Sequence, residues 1–399
     1  MTHEQTKKIG VLTATIVGMN AMIGAGIFTL PTTIGCSLGP ASIVTTFLVS
    51  IAVLCMALSI AKLAALFPEA GSFYIYAKQW GGHIMGLLSS GAHLIGLLIA
   101  MGLLCRAAGI NLQYYFPSLS VTTLGLITLI TLTILNMCGV ALSQYGQYIL
   151  ICCTIFPLTA ITGMCLYKAD LSNLVPFAPY GHKNILFAMR EIIFGFFGFE
   201  AAASLVPRMI NPKRNVPKAV TYSVIVVALI YLLFVAGLVL SVPHSLLCNP
   251  NIPIIIPLST IFPNVLWLLK LVHISILSAI LGTIHSMIWS SSALALSLAK
   301  LLKSKTSKAL VQKGIINSKT TVFLVGICIL ASFVTFKNMQ FFCLTALFLV
   351  FAYSTSIITL LTIKKERQSK SIIVTLIGLG VAGLIFIFAL QGIIEPLIS

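Results

Sequence analysis

The sequence predicts an all-α polytopic membrane protein made of two inverted halves, each opened by a discontinuous helix. Three observations predict it. Of 399 residues, 59% are hydrophobic and 8% charged, and the mean hydropathy is +1.09. No soluble fold of this length hides that much apolar surface, whereas a spanning helix needs about 20 apolar residues and the chain offers many such runs. The second observation is the stretch 15–31, TIVGMNAMIGAGIFTLP, an apolar span interrupted by Gly24-Ala25-Gly26. Glycine inside a helix costs about 1 kcal/mol relative to alanine, and in lipid every backbone group freed there must find another partner. The third is a counterpart five helices later, Gly195-Phe196-Phe197-Gly198. The roughly 10-residue alternating segments of an outer-membrane barrel are absent.

Hydropathy gives eleven segments. The N-terminal MTHEQTKK precedes an apolar run too long for a signal-peptide core and without a small-residue cleavage site, so 9–36 reads as a retained helix one. Helix two is 41–66. Helix three, 84–112, carries His93 and Arg106, the latter expected to snorkel to the interface. Helices four and five are 121–140 and 145–167; their cysteines, like the rest of the ten, read as small apolar residues. Helix six, 186–206, holds the second break and Glu200. Helix seven, 217–241, follows the basic segment NPKRNVPKAV. The proline-rich 242–264 is too broken to span and is expected over the outer mouth as short helical pieces. Helix eight is 265–299, and helices nine to eleven are 320–336, 340–363 and 371–391. The whole of 1–399 reads as one transmembrane domain without a soluble part. Repeat one is about 9–167, repeat two about 186–363, and 371–391 is an extra helix.

The net charge of +17 comes from 24 Lys and Arg against 7 Asp and Glu. On a soluble protein it would suggest nucleic acid. Here most basic residues fall on one side of the alternating loops, at Lys7–Lys8, Arg208–Lys218, Lys300–Lys319 and Lys364–Lys370. Cytoplasmic loops collect Lys and Arg, so the charge is spent on topology and no nucleic-acid partner is implied. The expectation is an integral protein of a bacterial-type cytoplasmic (inner) membrane, N-terminus in the cytoplasm and the lipid bilayer as its solvent.

Paired glycine interruptions in two inverted halves point to a transporter site; the competing reading is close helix packing through small residues. A half-helix restarting near Ile27 would expose N–H groups of Ala25, Gly26 and Ile27, the end that favours anions. The first half of helix six would end near Phe194–Phe197 with free carbonyls, which suit an ammonium. Together they make a receptor for a zwitterion. Glu200 is the one carboxylate placed deep in the membrane, where a charge costs about 2.5–3.5 kcal/mol on insertion scales. Proton carrier and brace for the unwound helix are both open roles. His93, His273 and His285 read first as packed or hydrogen-bonded residues, with no metal cluster. The polar stripe of helix eight (Ser275, Ser278, Thr283, Ser286, Ser290, Ser291, Ser292) fits either interhelical bonding or a wet pathway. No P-loop, HExxH or GxSxG occurs, so neither enzyme chemistry nor a cofactor is expected, and transport would be secondary.

GAGIFTLP at 24–31, GFFGFEAA at 195–202 and NPKRNVPKAV at 211–220 together resemble the amino acid–polyamine–organocation family of transporters, and within it the basic amino acid/polyamine antiporter branch. The resemblance implies the LeuT-like fold of two inverted five-helix repeats, with substrate between helices one, three, six, eight and ten. It implies that backbone at Met22, Ala25 and Gly26 holds a carboxylate, and that Phe194 gates the substrate. The carbonyls of Phe194 and Phe197 would take the amino group, and Glu200 is the motif glutamate. His93 falls near a substrate-contacting position of helix three. Gly24, Gly26, Gly195 and Gly198 permit the breaks. The chain departs from the family in having eleven rather than twelve helices, and in Pro207 and Arg208 where many members are acidic. Helix five also lacks the lysine of proton-coupled members; its first is Lys168 at the outer end. These features favour an exchanger of amino acids or amines working by alternating access. The alternatives are proton-coupled uptake and, from another class, a substrate-binding sensor that does not transport.

Overall fold

The computed structural model describes residues 8–24, 26–27, 34–35, 38–179, 181, 183–247, 255–302, 305–336, 341–367 and 372–398. Every hydropathy segment contains a helix. Helix one is Val11–Met22, two is Ala41–Leu66 and three is Phe73–Gln113. Helix four is Val121–Met137 and five is Val140–Tyr167. Helix six runs Lys183–Phe194 and resumes as Ala201–Ser204. Then come Pro212–Ser241 (seven), Leu266–Leu301 (eight), Ser318–Thr335 (nine), Phe341–Thr362 (ten) and Ile372–Ile398 (eleven). Among the described residues, eight of these are long and apolar enough to cross a membrane, while Val11–Met22 and Val121–Met137 are shorter.

Local chemistry explains several boundaries. The Ser120 hydroxyl accepts the Thr123 N–H at 3.0 Å to start helix four, and Asn317 does the same for Thr320 at 3.0 Å to start helix nine. Pro212 opens helix seven, where its missing N–H costs nothing. Helix three begins eleven residues before the hydropathy boundary at 84, because Lys78 and Gln79 mask a polar first piece. At Gly82 φ reaches +68°, and this kink divides that piece from the spanning part. The 242–264 loop carries the short helices His244–Leu247 and Ile255–Ile261, as its broken pattern predicts.

The packing repeats with a five-helix shift. Three packs on ten as eight packs on five; one packs on seven as six packs on two; five packs on seven as ten packs on two. Three with four corresponds to eight with nine, and two with seven maps onto itself. Helix one approaches seven closely because Gly18 has no side chain: a Cβ there would lie 2.8 Å from the Ser223 hydroxyl. The centre is filled by Tyr231, Phe196, Phe199, Phe234, Trp289 and Tyr353, all fully buried. Large apolar side chains such as Phe47, Ile149, Phe156, Leu229 and Ile373 point outward, an arrangement that only a lipid solvent tolerates on this scale.

One end of the bundle is tied shut by polar contacts. The Ile9 N–H donates to the Arg208 carbonyl at 2.8 Å and its carbonyl accepts from Ile210 at 3.0 Å, so the entry to helix one pairs with the exit from helix six. Arg208 donates to the Ser318 hydroxyl at 2.5 Å, and Lys62 forms an ion pair with Glu366. At the opposite end of helix nine, the Arg106 guanidinium donates to the Phe333 carbonyl at 3.3 Å and lies 5.3 Å from that ring's centroid. It thereby satisfies one of the orphan carbonyls of a helix end.

Candidate functional site

Helix one stops at Met22. Ile23 leaves helical geometry with ψ +87°, Gly24 follows in a bend, and Gly26 and Ile27 are helical again. The break therefore opens one residue before the glycines. Ala25 lies outside the described residues. A side chain at Gly24 would press on Thr283, whose hydroxyl is 3.0 Å from the Cβ position. Helix six stops at Phe194, turns through 195–200 and restarts at Ala201. Gly198 has φ +108°, and a Cβ there would lie 2.6 Å from the carbonyl oxygen of Ala21. Only glycine satisfies both the dihedral and the contact. Here the backbones of the two breaks touch.

A half-helix ending in lipid must place its last carbonyls elsewhere, and helices seven and eight supply the donors. The Tyr231 hydroxyl lies 2.9 Å from the Met22 carbonyl oxygen and 2.9 Å from that of Gly195, sharing one proton between the two breaks. The Met22 carbonyl also accepts the Gly24 N–H at 2.9 Å. The Thr283 hydroxyl sits 2.8 Å from the Asn20 carbonyl, 3.1 Å from that of Ile23 and 3.0 Å from that of Ala279. Asn20 donates to the Gln147 side chain at 2.6 Å, and Ser286 donates to the same oxygen at 2.8 Å. At helix six the Phe194 carbonyl accepts the Phe197 N–H at 3.3 Å.

The residues at the second break form an aromatic and polar cluster. The Phe194 and Phe197 rings meet edge to face at 5.4 Å, and Phe197 and Phe199 lie 6.2 and 5.2 Å from Tyr353 of helix ten. Glu200 is 1% exposed; its Oε1 lies 3.9 Å from His93 Nε2, and His93 is 0% exposed. The His93 ring stands 4.2 Å from Phe73, and the Tyr353 phenol is next to the carboxyl. Neither imidazole nitrogen has a hydrogen-bond partner, while the Glu200 carboxyl faces the Tyr353 hydroxyl and the backbone of Gly198. Buried polar atoms without a partner are costly, and these two nitrogens lie beside the helix break.

The structure thus brings Met22, Gly24, Gly195 and Gly198 together at the crossing, and Phe194, Phe197, Glu200 and His93 beside it. The other histidines stand apart. Asn136 donates to His285 Nδ1 at 2.6 Å, which leaves the proton on Nε2 facing the Ser143 carbonyl at 3.1 Å. His273 packs on Tyr114 and Tyr115. Much of the helix-eight stripe is interhelical bonding: Ser275 donates to Thr154 and Ser278 to Leu150, both carbonyls of helix five. Sequence reasoning missed Tyr231, Tyr353 and Gln147. The available signal was a hydroxyl or amide inside an otherwise apolar span, since buried tyrosines seek partners.

Similarity to known proteins agrees with this geometry. An uncharacterised transporter of Mycobacterium bovis is 23% identical over 300 residues, covering 74% of this chain and 67% of the relative. The branched-chain amino acid permease BcaP of Bacillus subtilis is 23% identical over 296 residues, covering 69% and 63%. The vacuolar cationic amino acid transporter 4 of Arabidopsis thaliana is 26% identical over 278 residues, covering 63% and 46%. The matched region thus spans about half to two thirds of these relatives' own length. Among solved structures, Mhp1, a nucleobase-cation-symport-1 family transporter in a closed conformation with bromovinylhydantoin bound, superposes with a TM-score of 0.64 at 12% identity. That match covers 99% of this chain and 95% of the other. The fold is therefore the LeuT-like one, with discontinuous helices one and six. The family description of amino acid permeases matches residues 9–397, through both breaks, and the chain belongs to that family.

Proposed function

We propose that this protein is a secondary amino acid transporter that exchanges one amino acid or amine for another by alternating access. The observation that carries the reading is the meeting of the two helix breaks. By the sense of their dipoles, the half-helix end at Gly26–Ile27 suits a carboxylate and the end of helix six suits an ammonium, and a single hydroxyl from Tyr231 bridges the Met22 and Gly195 carbonyls. Gly26 and Ala25 take the carboxylate, Phe194 and Phe197 border the ammonium, and Phe194 gates. The contact of Ile9 with residues 208–210 is the closed gate at the basic end, which we assign to the cytoplasm together with the N-terminus. The two repeats span about 9–167 and 186–363, with 371–391 as an added helix.

Exchange rather than proton-driven uptake is favoured because helix five meets helix one through neutral Gln147, not through a fixed cation. A second reading, proton-coupled uptake, draws support from the buried Glu200–His93 pair, in which neither imidazole nitrogen has a hydrogen-bond partner. Substrate assignments of the relatives differ: one named for branched-chain and one for cationic amino acids. The deciding experiment uses liposomes carrying the purified protein, with and without unlabelled internal amino acids, and with and without a proton gradient. Labelled uptake that requires internal substrate supports exchange. Uptake driven by the gradient alone replaces it with proton coupling. Binding without any uptake makes the protein a sensor.

A further inference from the structure

One cavity lies away from the helix breaks, at the far end of helix five. It has a volume of about 550 Å³ and is lined by Ala160, Gly163, Met164, Tyr167 and Lys168 on one side and by the turn 262–265 on the other. Positions 160, 163, 164 and 167 follow helical spacing, so they form one stripe down helix five. The stripe runs about 10 Å along the axis from Tyr167 toward the interior of the span. Phe262, 3% exposed, closes the back of the groove, and the outward-facing Phe156 and Tyr167 mark the same flank of the helix as lipid-facing.

The charge at the top of this groove is unmatched. Lys168 donates to the Ile261 carbonyl at 3.2 Å and its ammonium lies 5.2 Å from the Phe262 ring centroid. One of its three donors is used. Among the described residues the carboxylates in ion pairs are Glu366 and Glu200, neither of them with Lys168. Asp170, two residues on, turns its Oδ1 to the Ser172 N–H instead. Lysine next to an exposed tyrosine at the end of an apolar helix is placed at the height of lipid headgroups. An apolar trough leading down from an ammonium with donors to spare is complementary in shape and charge to a phospholipid with a negative headgroup.

We infer that this groove is a binding site for an anionic phospholipid, whose phosphate pairs with Lys168 and whose acyl chain lies along Ala160, Gly163 and Met164. The probe is phosphatidylglycerol against phosphatidylcholine, mixed equally in nanodiscs with the full chain and read by native mass spectrometry after release. Two variants separate headgroup from tail. Lys168→Gln removes the charge. Gly163→Phe fills the trough, and it does so without backbone strain because a Cβ at Gly163 meets nothing within 4 Å. The wild type is expected to retain phosphatidylglycerol over phosphatidylcholine. Lys168→Gln lowers that preference about fivefold, the effect of one lysine near a lipid surface, and Gly163→Phe lowers retention of both lipids. Equal retention of the two lipids by the wild type overturns the proposal. So does undiminished phosphatidylglycerol retention in either variant. If Gly163→Phe does not fold, the outcome with Lys168→Gln alone decides.

Discussion

Tyr231→Phe removes a single oxygen atom and nothing else from the meeting point of the two breaks. The ring is 1% exposed and packs 4.9 Å from Phe196, so its volume and contacts survive the change. The Met22 carbonyl keeps the Gly24 N–H; the Gly195 carbonyl loses the hydroxyl. The loss is therefore close to one buried carbonyl left under-satisfied, about 1–3 kcal/mol in soluble proteins. Hydrogen bonds between membrane helices are worth less, at most about 1.7 kcal/mol in measured cycles. We expect about 1–1.7 kcal/mol, a shift of about 5- to 20-fold in the equilibrium that holds the breaks together. The assay pairs thermal melting in detergent with exchange in liposomes, and Tyr222→Phe, on the same helix but 49% exposed, serves as control. A lower melting temperature and altered exchange in Tyr231→Phe, with Tyr222→Phe unchanged, is the expected result. A Tyr231→Phe protein that melts and exchanges like the wild type would refute the bridging role.

Gly198→Ala should abolish transport and destabilise the fold by more than about 1 kcal/mol, because alanine must adopt φ +108° against the Ala21 carbonyl; melting and uptake read this directly. Thr283→Val keeps the shape but strips the hydroxyl from three carbonyls, and should cost about 1 kcal/mol with a marked fall in uptake, whereas Ser259→Ala on the 255–261 helix should leave uptake unchanged. Glu200→Gln separates the two roles of that carboxyl: exchange that persists and keeps its pH profile assigns it to bracing, and a flattened pH profile assigns it to proton movement. Arg208→Ala breaks the bond to Ser318 at the closed end and should raise the reactivity of a cysteine placed at Met209, now 2% exposed, toward a water-soluble thiol reagent.

The helices were legible in sequence because lipid imposes one rule, about 20 apolar residues per crossing with all backbone bonds internal. Ala41–Leu66 was read to the residue for that reason. The boundary at helix three was misread because the piece before Gly82 carries polar residues and lies outside the apolar pattern. The breaks were legible because glycine in such a run is costly and occurred twice at matching depth. What each glycine does was not: Gly198 is required by its dihedral and by the Ala21 carbonyl, while Gly24 makes room for Thr283.

The sequence alone therefore determined the class of solvent, the succession of helices and the two places where the backbone opens, because these follow from local composition and spacing. Only the tertiary structure decided what closes the openings. Tyr231, Thr283 and Gln147 are each separated from their partners at the helix-one break by more than a hundred residues, and no periodicity along the chain encodes a hydrogen bond across it. The Gly24-Ala25-Gly26 interruption tells where a helix ends; which hydroxyls receive its carbonyls depends on how the helices pack.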